Sequence, residues 1–300
     1  MEFAELRAEP DLSLELARSL CRLHHLSGDC SRIAEGSQLV FSTADGHVIK
    51  VFAREDQGCF ETEKVFLAQL DGRLPVATPR LDAAGTWGKY PYLVMEQLEG
   101  AALSEAWNAL SPDDRRGIVS ELGNATRALH ALPPALFEAA PFRWQPFIEG
   151  QQAGLLANQR SFGLEEQWLA QLDRYVGAAN IDFHDPALMA PLHTELMRQH
   201  VLVRQDGNRW TISGLVDFEP SMVGHREYEF CAVGLFITAG DRDLLRLFLS
   251  SYGYDETALT QDLSRRIMVF TLLHRYGNLR KFLGLIPADL GLANLAQLEI

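Results

Sequence analysis

The sequence predicts an α+β protein with a β-rich part followed by a larger helical part. In the first hundred residues, short apolar runs alternate with turn residues such as Ala44-Asp45-Gly46, which is typical of paired strands. From Ser111 onward, apolar residues recur every three or four positions, which is the period of a helix. We place the boundary near Gln97, so that the two predicted parts are 1–97 and 98–300.

The first part contains one predicted hairpin, one further strand and two helices. Leu and Ala at helical spacing predict an opening helix over 12–25. Two β-rich runs on either side of the turn predict a hairpin of 38–43 and 47–52. A second helix is predicted over 60–71 from its periodicity, and the apolar run 92–96 predicts another strand.

The second part opens with a helix-start signal at Ser111. A serine in the capping position, Pro112 in the first turn and acids after it favour a helix that begins here. One β pattern stands among the helices: a run at 201–203, a turn at 206–208 and a second run at 210–216. Further helices are predicted at about 151–178, 228–252 and 256–283.

Composition excludes several classes of function. The chain has 27 Lys and Arg against 40 Asp and Glu, a net charge of −13, which argues against nucleic acid as a partner and suits a cationic small substrate. No run reaches the ~18 apolar residues of a membrane helix, and the acidic start lacks a signal-peptide pattern. The 4 cysteines include no CxxC pair. We therefore expect a reduced, cytoplasmic protein with no membrane partner.

The segment 193–217 carries the strongest indication of chemistry. Glu195 and Asp217 flank the predicted hairpin, and His200 lies between them. When one acid lies in the loop before a hairpin and another lies directly after the hairpin, the two carboxylates come to the same end of the hairpin although they are distant in sequence. Phosphoryl transfer needs such a pair, because one acid orients the attacking hydroxyl and another holds the cation that bridges the phosphates.

This segment resembles the catalytic segment of the aminoglycoside phosphotransferase family. The family pattern is H-G-D-x-x-x-x-N, a hairpin, and then I-D-[WF]. His193 matches the histidine, Glu195 stands at the catalytic aspartate, His200 stands at the asparagine, and Asp217-Phe218 match the metal-binding aspartate and its neighbour. The resemblance implies a bilobal protein-kinase-like fold, with a small β-rich nucleotide-binding N-lobe at 1–97 and a larger helical C-lobe at 98–300.

Lys50 lies within the apolar run 48–52, where a charge needs a reason. One interpretation is a phosphate-binding lysine, and the other is a lysine on the solvent-exposed face of an edge strand. The resemblance implies the first, with Glu63 on the next helix as the pairing acid. Glu61 is the competing acid, but it points ~200° away from Glu63 on a helix, so only one of them can face the lysine.

The resemblance implies two further nucleotide contacts. The segment Ala34-Glu35-Gly36-Ser37 stands where the family has its phosphate-covering loop, so Gly36 and Ser37 are predicted to bind phosphate. Backbone groups of Glu96 and Leu98 would bind the adenine edge at a hinge between the lobes. Met95 would close the back of that pocket, although an ordinary core methionine explains it equally well.

Two departures from the family pattern affect the chemistry. Glu195 can do the work of an aspartate, but its extra methylene moves the carboxylate outward by ~1.5 Å unless the loop retracts. His200 replaces an amide, and imidazole suits Mn²⁺ or Zn²⁺ better than Mg²⁺. Glu219 lies two residues after Asp217 and would face the same side on an extended chain. We therefore predict Asp217, His200 and Glu219 as the set that binds Mg²⁺ or Mn²⁺, with ATP or GTP as the nucleotide.

A zinc deaminase is excluded. The string His193-Thr194-Glu195 matches the H-x-E start of such enzymes, but they also need a downstream P-C-x-x-C. The one later cysteine is Cys231.

The segments 91–95, 234–245 and 270–274 look similar to hygromycin B kinases, which implies an aminocyclitol substrate. Carboxylates near the cleft would bind its ammonium groups, and aromatic rings would stack on its sugars. Solvated helix faces and core packing are the competing explanations. The candidate residues are Glu227, Asp241, Asp243, Trp144 and Phe147.

Three functions remain open from the sequence. The first is a kinase that confers antibiotic resistance by phosphorylating an aminoglycoside. The second is a kinase for a metabolite such as a sugar, an amino alcohol or a nucleoside. The third is a weakly active nucleotide-binding pseudokinase, which the substitutions at Glu195 and His200 suggest.

Overall fold

The computed structural model describes residues 2–33, 36–286 and 290–299. The chain forms two compact units, neither of them continuous in sequence. The first unit contains Met1–Asn108, Ala135–Phe142 and Gln199–Ser221, and the second contains Ala109–Pro134, Arg143–Arg198 and Met222–Ile300. The predicted boundary at 97 concerns functional lobes and stays a prediction.

The first unit contains a five-stranded antiparallel sheet with the strand order β1-β2-β3-β5-β4. Four helices belong to the same unit: α1 (Phe3–Ala8), α2 (Pro10–His24), α3 (Gln57–Leu70) and α4 (Leu103–Ala106). The strands are β1 (Cys30–Ile33), β2 (Leu39–Thr43), β3 (His47–Val51), β4 (Leu81–Trp87) and β5 (Tyr90–Glu96). The predicted opening helix, hairpin, second helix and strand are therefore all confirmed, whereas α1, β1 and β4 were not predicted.

The β2–β3 hairpin is closed by a turn in which Gly46 has φ +81°, a value that glycine adopts without steric cost. Leu39, Phe41, Ile49 and Val51 are buried in the apolar core that the sheet shares with α1 and α2. Alternation along β2 therefore sets which face of the hairpin packs inward.

A second, three-stranded sheet in the first unit contains the other predicted hairpin. Its strands are β6 (Ala101–Ala102), β8 (Val201–Asp206) and β9 (Arg209–Leu215), in the order β6-β8-β9. Leu215 N donates to Ala77 O at 2.9 Å, which ties the end of β9 to the chain that precedes β4. This hairpin is therefore confirmed, and it leads directly to Asp217.

The second unit is mainly helical. Ser111 Oγ accepts from Asp114 N at 3.1 Å and begins a 19-residue helix, as predicted. The helices are α5 (Pro112–His130), α6 (Trp144–Ser161), α7 (Glu166–Ala178), α8 (Glu227–Ala232), α9 (Arg242–Tyr252), α10 (Gln261–Leu273) and α11 (Leu279–Leu283). Within the described residues, no helix has both the length and the apolarity that a bilayer crossing requires.

Three of the predicted long helices are interrupted. The first breaks at Gly163 (φ +75°) between α6 and α7, and the second breaks at Ala239 (φ +52°) and Gly240 (φ +83°) before α9. The third ends at Leu273 and resumes at Leu279. The prediction of uninterrupted helices was wrong because apolar residues recur on both sides of each break, and their spacing alone does not show where a helix ends.

Two short strands of the second unit were also missed. β7 (Met189–Leu192) pairs antiparallel with β10 (Met222–His225). Each strand has four residues, which is too short for its alternation to be recognised in sequence. This pair positions the loop that follows Leu192, and that loop contains Glu195.

Candidate active site

Lys50 makes the most concentrated set of charged contacts described in the first unit. Its side chain projects from β3 and is 8% exposed. Nζ donates a hydrogen bond to Asp217 Oδ1 at 2.6 Å and forms ion pairs with Glu63 Oε2 at 2.8 Å and Glu219 Oε2 at 2.9 Å. Lys50 is therefore buried among three carboxylates and does not lie on the solvent-exposed face of an edge strand.

Glu63, and not Glu61, faces the lysine from α3. Glu63 also accepts from Phe218 N at 3.3 Å, so this acid contacts both Lys50 and the chain beside Asp217. Glu61 points elsewhere on the helix, where it pairs with Lys64 and accepts from Gln57 Nε2 at 3.1 Å. Helical geometry thus selects between the two acids in the way the sequence predicted.

The cluster carries three carboxylates against one ammonium group, so its net charge is −2 when all four groups are ionised. Burial alone would lower the pKa of Lys50, but Asp217, Glu63 and Glu219 together hold it well above its usual range. Burial raises the pKa of Glu63 to about 7, although Lys50 opposes this rise. Burial also raises the pKa of Glu219. One ammonium group therefore contacts one buried acid, Glu63, and two partly exposed acids, Asp217 and Glu219.

Asp217 has φ +71°, in the left-handed region that residues other than glycine rarely adopt. The prediction that an extended chain places Asp217 and Glu219 on one side was therefore wrong in its geometry. Both carboxylates still reach Lys50, because the chain turns at Asp217 instead of running straight. A non-glycine residue in this conformation costs roughly 1–3 kcal/mol and is typical of functional sites.

His200 lies beside Asp217 in the first unit. Its Nε2 is 3.1 Å from Asp217 Oδ2, and its carbonyl accepts from Val216 N at 3.0 Å. The donor atoms of Glu63, Asp217 and Glu219 all lie within 4.8 Å of one another. Carboxylate oxygens are the ligands that a hard divalent cation such as Mg²⁺ prefers, so oxygens at this spacing fit such a cation.

The predicted hinge follows β5. Glu96 N donates to Arg80 O and Gln97 N donates to Gly46 O, each at 2.9 Å, so both donors are used inside the first unit. Leu98 packs on β9, where a Cβ at Gly214 would clash with its side chain. Met95 is buried at 5% exposure. If a nucleotide base binds here, the backbone N–H of Leu98 is the hinge donor that would bind it.

The predicted phosphate loop is described only in part. Ala34 and Glu35 lie outside the described residues. Gly36 has φ +98°, and its carbonyl accepts from Arg7 Nη2 at 3.0 Å. Ser37 is exposed. Gly36 thus adopts a backbone conformation that disfavours a side chain.

Glu195 belongs to the second unit, in the loop after β7. His193 N donates to Glu229 Oε2 at 2.6 Å, and Glu195 N donates to His193 Nδ1 at 3.3 Å. His193 is fully buried. Thr194 has φ +69°, a conformation natural to the glycine of the family pattern. The threonine therefore keeps a glycine-like turn that Glu229 and His193 hold in place.

The Glu195 side chain contacts a turn that the sequence did not indicate. Tyr276 Oη donates to Glu195 Oε1 at 2.9 Å, and Arg275 Nη1 is 3.4 Å from the same oxygen. His274 Nε2 lies 3.1 Å from Thr194 O. The sequence signal was slight: a basic and an aromatic residue directly after the apolar end of α10.

The suggested substrate-binding residues of the second unit are mostly engaged in packing. Glu227 is 3% exposed and pairs with Arg266 at 2.7 and 2.8 Å, and Asp241 caps α9 by accepting from Leu244 N at 3.0 Å. Trp144 is buried at 5% exposure and donates to Phe183 O at 2.7 Å. Its suggested sugar-stacking role is therefore wrong.

Comparison with known proteins identifies the family. A family model described as the phosphotransferase enzyme family (APH) matches residues 29–262. The chain belongs to this family. This phosphotransferase thus has its Lys50 cluster and its Glu195 loop inside the matched region.

Solved structures share the fold at low sequence identity. The GDP and kanamycin complex of APH(2″)-IIIa is 17% identical with a TM-score of 0.65, covering 88% of this chain and 93% of that one. The streptomycin–ATP complex of APH(2″)-IIa is 15% identical, with a TM-score of 0.60 and coverages of 92% and 96%. Macrolide 2′-phosphotransferase MphH from Brachybacterium faecium is 18% identical, with a TM-score of 0.61 and coverages of 95% and 98%. The predicted kinase-like fold class is confirmed.

Proposed function

We propose that this phosphotransferase transfers the γ-phosphoryl group of ATP or GTP to a hydroxyl of a cationic small molecule, namely an aminoglycoside of the hygromycin B type. The observation that carries the proposal is the buried Lys50 with Glu63, Asp217 and Glu219 around it. These four groups come from β3, α3 and the chain after β9, and Asp217 lies 167 positions beyond Lys50.

Charge balance supports a ligand site over a purely structural network. Removing an ion from water costs several kcal/mol, and a structural pair recovers part of this cost through its partner. Here one ammonium group contacts three acids, and burial raises the pKa of two of them, Glu63 and Glu219. Perturbed and unbalanced titratable clusters of this kind are typical of functional sites.

Asp217 and Glu219, with His200, are the residues that we propose to hold Mg²⁺ or Mn²⁺. When bound, the cation supplies positive charge to the phosphate oxygens as they develop charge. Lys50 would then contact the nucleotide phosphates, and Glu63 would keep its ammonium group oriented. Gly36 and Ser37 would cover the phosphates, with Glu96 and Leu98 at the base.

Glu195 is the residue that we propose to orient and deprotonate the acceptor hydroxyl. A carboxylate can accept the proton, and Asp and Glu have similar reference pKa values. Arg275 and Tyr276 already contact this carboxylate, so it is fixed before an acceptor arrives. In a loose transition state such orientation matters more than basicity.

A metabolite or macrolide acceptor is the second candidate. It is favoured by the contacts of two acids suggested as ammonium ligands: Glu227 is buried in an ion pair with Arg266, and Asp241 caps α9. One structure with this fold is a macrolide phosphotransferase. An acceptor with few charges would need no such acids.

A direct transfer assay tests the proposal. Purified protein is incubated with ATP or GTP, with Mg²⁺ or Mn²⁺, and with hygromycin B, kanamycin, streptomycin, a macrolide, or a mixture of sugars, amino alcohols and nucleosides. Mass spectrometry then detects an acceptor that has gained one phosphoryl group. Phosphorylation of hygromycin B supports the proposal. Transfer only to another acceptor would keep the proposed reaction and replace hygromycin B with that acceptor as the substrate class. Nucleotide binding with no turnover on any acceptor supports the pseudokinase.

A further inference from the structure

The turn His274–Asn278 lies against the loop that contains Glu195, and hydrogen bonds hold both of its ends. His274 Nε2 donates to Thr194 O, since a carbonyl can only accept, and the imidazole Nδ1 accepts from Tyr276 N at 3.2 Å. Burial lowers the pKa of His274 to about 4, which fits this neutral tautomer. The turn is therefore fixed to the catalytic loop through an uncharged histidine.

A buried glutamine of α6 secures the other end of the turn. Gln159 is 1% exposed, its amide donates to Gly277 O, and its carbonyl accepts from Leu279 N at 3.0 Å. A Cβ at Gly277 would lie 2.8 Å from three carbonyl oxygens, so only glycine fits there. Tyr276 thus projects from a rigid turn, although half of its surface is exposed.

Arg275 is anchored on its other side. Its backbone N donates to Tyr228 Oη at 3.2 Å, and its guanidinium lies 5.5 Å from the centroid of the Phe147 ring. Phe147 therefore supports an arginine, and we withdraw it as a sugar-stacking residue. Both groups that contact Glu195 Oε1 are held independently of that carboxylate.

We propose that Tyr276, assisted by Arg275, is a positioning residue that fixes the Glu195 carboxylate for the attacking hydroxyl. This inference rests on the proposed function of Glu195. A glutamate has one more rotatable bond than an aspartate, so its carboxylate is less confined. A misplacement of ~1 Å can reduce a rate ~100-fold. The tyrosine hydroxyl and the guanidinium remove that freedom.

A double-mutant cycle on transfer tests the positioning role. Tyr276→Phe removes only the hydroxyl, and we expect kcat to fall about tenfold with little change in KM. In a Glu195→Asp background the shorter side chain no longer reaches Tyr276, so Tyr276→Phe should change kcat less than twofold. An equal loss in both backgrounds, or a loss in KM alone, overturns the proposal.

Tyr254→Phe is the matched control. Tyr254 Oη donates to Glu227 Oε1 at 3.4 Å, which is also a phenol–carboxylate contact in the second unit. We expect this variant to keep the wild-type kcat and the wild-type pH profile. A comparable loss of kcat in Tyr254→Phe would show that removal of any such hydroxyl disturbs the unit, and the proposal would fall.

A measurement independent of turnover separates this inference from the proposed function. The Glu195 carboxyl is titrated by ¹³C NMR in glutamate-labelled protein, and Glu195→Gln identifies its resonance. Loss of the hydroxyl donor should move the titration midpoint to higher pH in Tyr276→Phe and leave it in place in Tyr254→Phe. An unchanged titration midpoint in Tyr276→Phe would show that the Tyr276 hydroxyl does not act on the Glu195 carboxylate, and it would overturn the proposal. A moved midpoint without transfer to any acceptor supports the contact and rejects the proposed function.

Discussion

Lys50 faces three carboxylates in the first unit, whereas Glu195 faces one arginine and one tyrosine in the second. The first set places three carboxylates around one ammonium group, and the second places one guanidinium and one phenol against one carboxylate. The first set is assembled from β3, α3 and the chain after β9. The second is assembled from two loops that a histidine and a glutamine brace.

This difference indicates two ways to prepare a carboxylate for phosphoryl transfer. Under the proposed function, the clustered carboxylates would prepare Asp217 and Glu219 for a cation, at a cost in stability when none is bound. The contacts with Arg275 and Tyr276 would prepare Glu195 for orientation, with its geometry fixed in advance. Substitutions should therefore act mainly on charge balance in the first unit and mainly on position in the second.

Replacement of Lys50 tests the charge balance most strongly. Lys50→Met leaves the buried carboxylate of Glu63 and the partly exposed carboxylates of Asp217 and Glu219 without this ammonium partner, so we expect transfer to be abolished and the free energy of unfolding to fall by about 3–5 kcal/mol. Urea unfolding measures this change. Lys64→Met is the control, because it breaks a half-exposed pair with Glu61 and a contact with the Phe60 ring, and it should cost less than about 1 kcal/mol. Similar losses in the two variants would contradict the comparison.

Asp217→Asn separates catalysis from stability in the same cluster. Transfer should fall by about 10³-fold or more, since a neutral amide is a poor cation ligand. The net charge of the cluster changes from −2 to −1, so the melting temperature should stay equal or rise. Steady-state kinetics and thermal unfolding check the two parts. Near-wild-type turnover would mean that Asp217 does not hold the cation.

Part of the acid sensitivity should come from the second unit through His225, and His274, whose pKa burial also lowers to about 4, should contribute a similar part. Burial lowers the pKa of His225 to about 4, against an ordinary value of 6.5, so the folded protein keeps this imidazole neutral. The unfolded chain binds the proton first, and stability is therefore lost as the pH falls from about 6.5 to 4, by up to about 3 kcal/mol. His225→Gln should flatten this dependence in urea unfolding at several pH values. An unchanged slope would assign the acid sensitivity to another group.

Glu195→Asp probes position without a change of charge. The carboxylate retracts by ~1.5 Å and loses contact with Tyr276, so we expect kcat to fall by about 10- to 100-fold while transfer remains measurable. Glu195→Gln should reduce transfer further, because an amide cannot accept the proton. Full loss in Glu195→Asp, equal to that in Glu195→Gln, would show that the length of this side chain is indispensable.

His200→Asn should have the smallest effect. It restores the oxygen ligand of the family pattern, so we expect the ratio of rates with Mn²⁺ and Mg²⁺ to shift toward Mg²⁺ by a few-fold. Rates measured with each cation at saturation give this ratio. An unchanged ratio would leave His200 with the single task of contacting Asp217.

The sequence by itself predicted the elements whose signals are local. The β2–β3 hairpin has its own glycine turn, α5 has its own serine cap, and β8–β9 has its own Asp-Gly turn. Each signal lies within a few residues of the element it defines, because turns and caps depend on short-range backbone geometry. The order of Lys50, Glu63, Glu195 and Asp217 also predicted the family.

Only the tertiary structure decided which side chains meet. Asp217 reaches Lys50 through a left-handed turn and not along an extended chain, and Tyr276 lies 81 positions beyond the carboxylate that it contacts. The strands β7 and β10 form because each pairs with the other across 30 residues of chain. Such contacts follow from long-range packing, which no local pattern encodes, so the charge balance around Lys50 and the contacts of Glu195 became visible only in the folded protein.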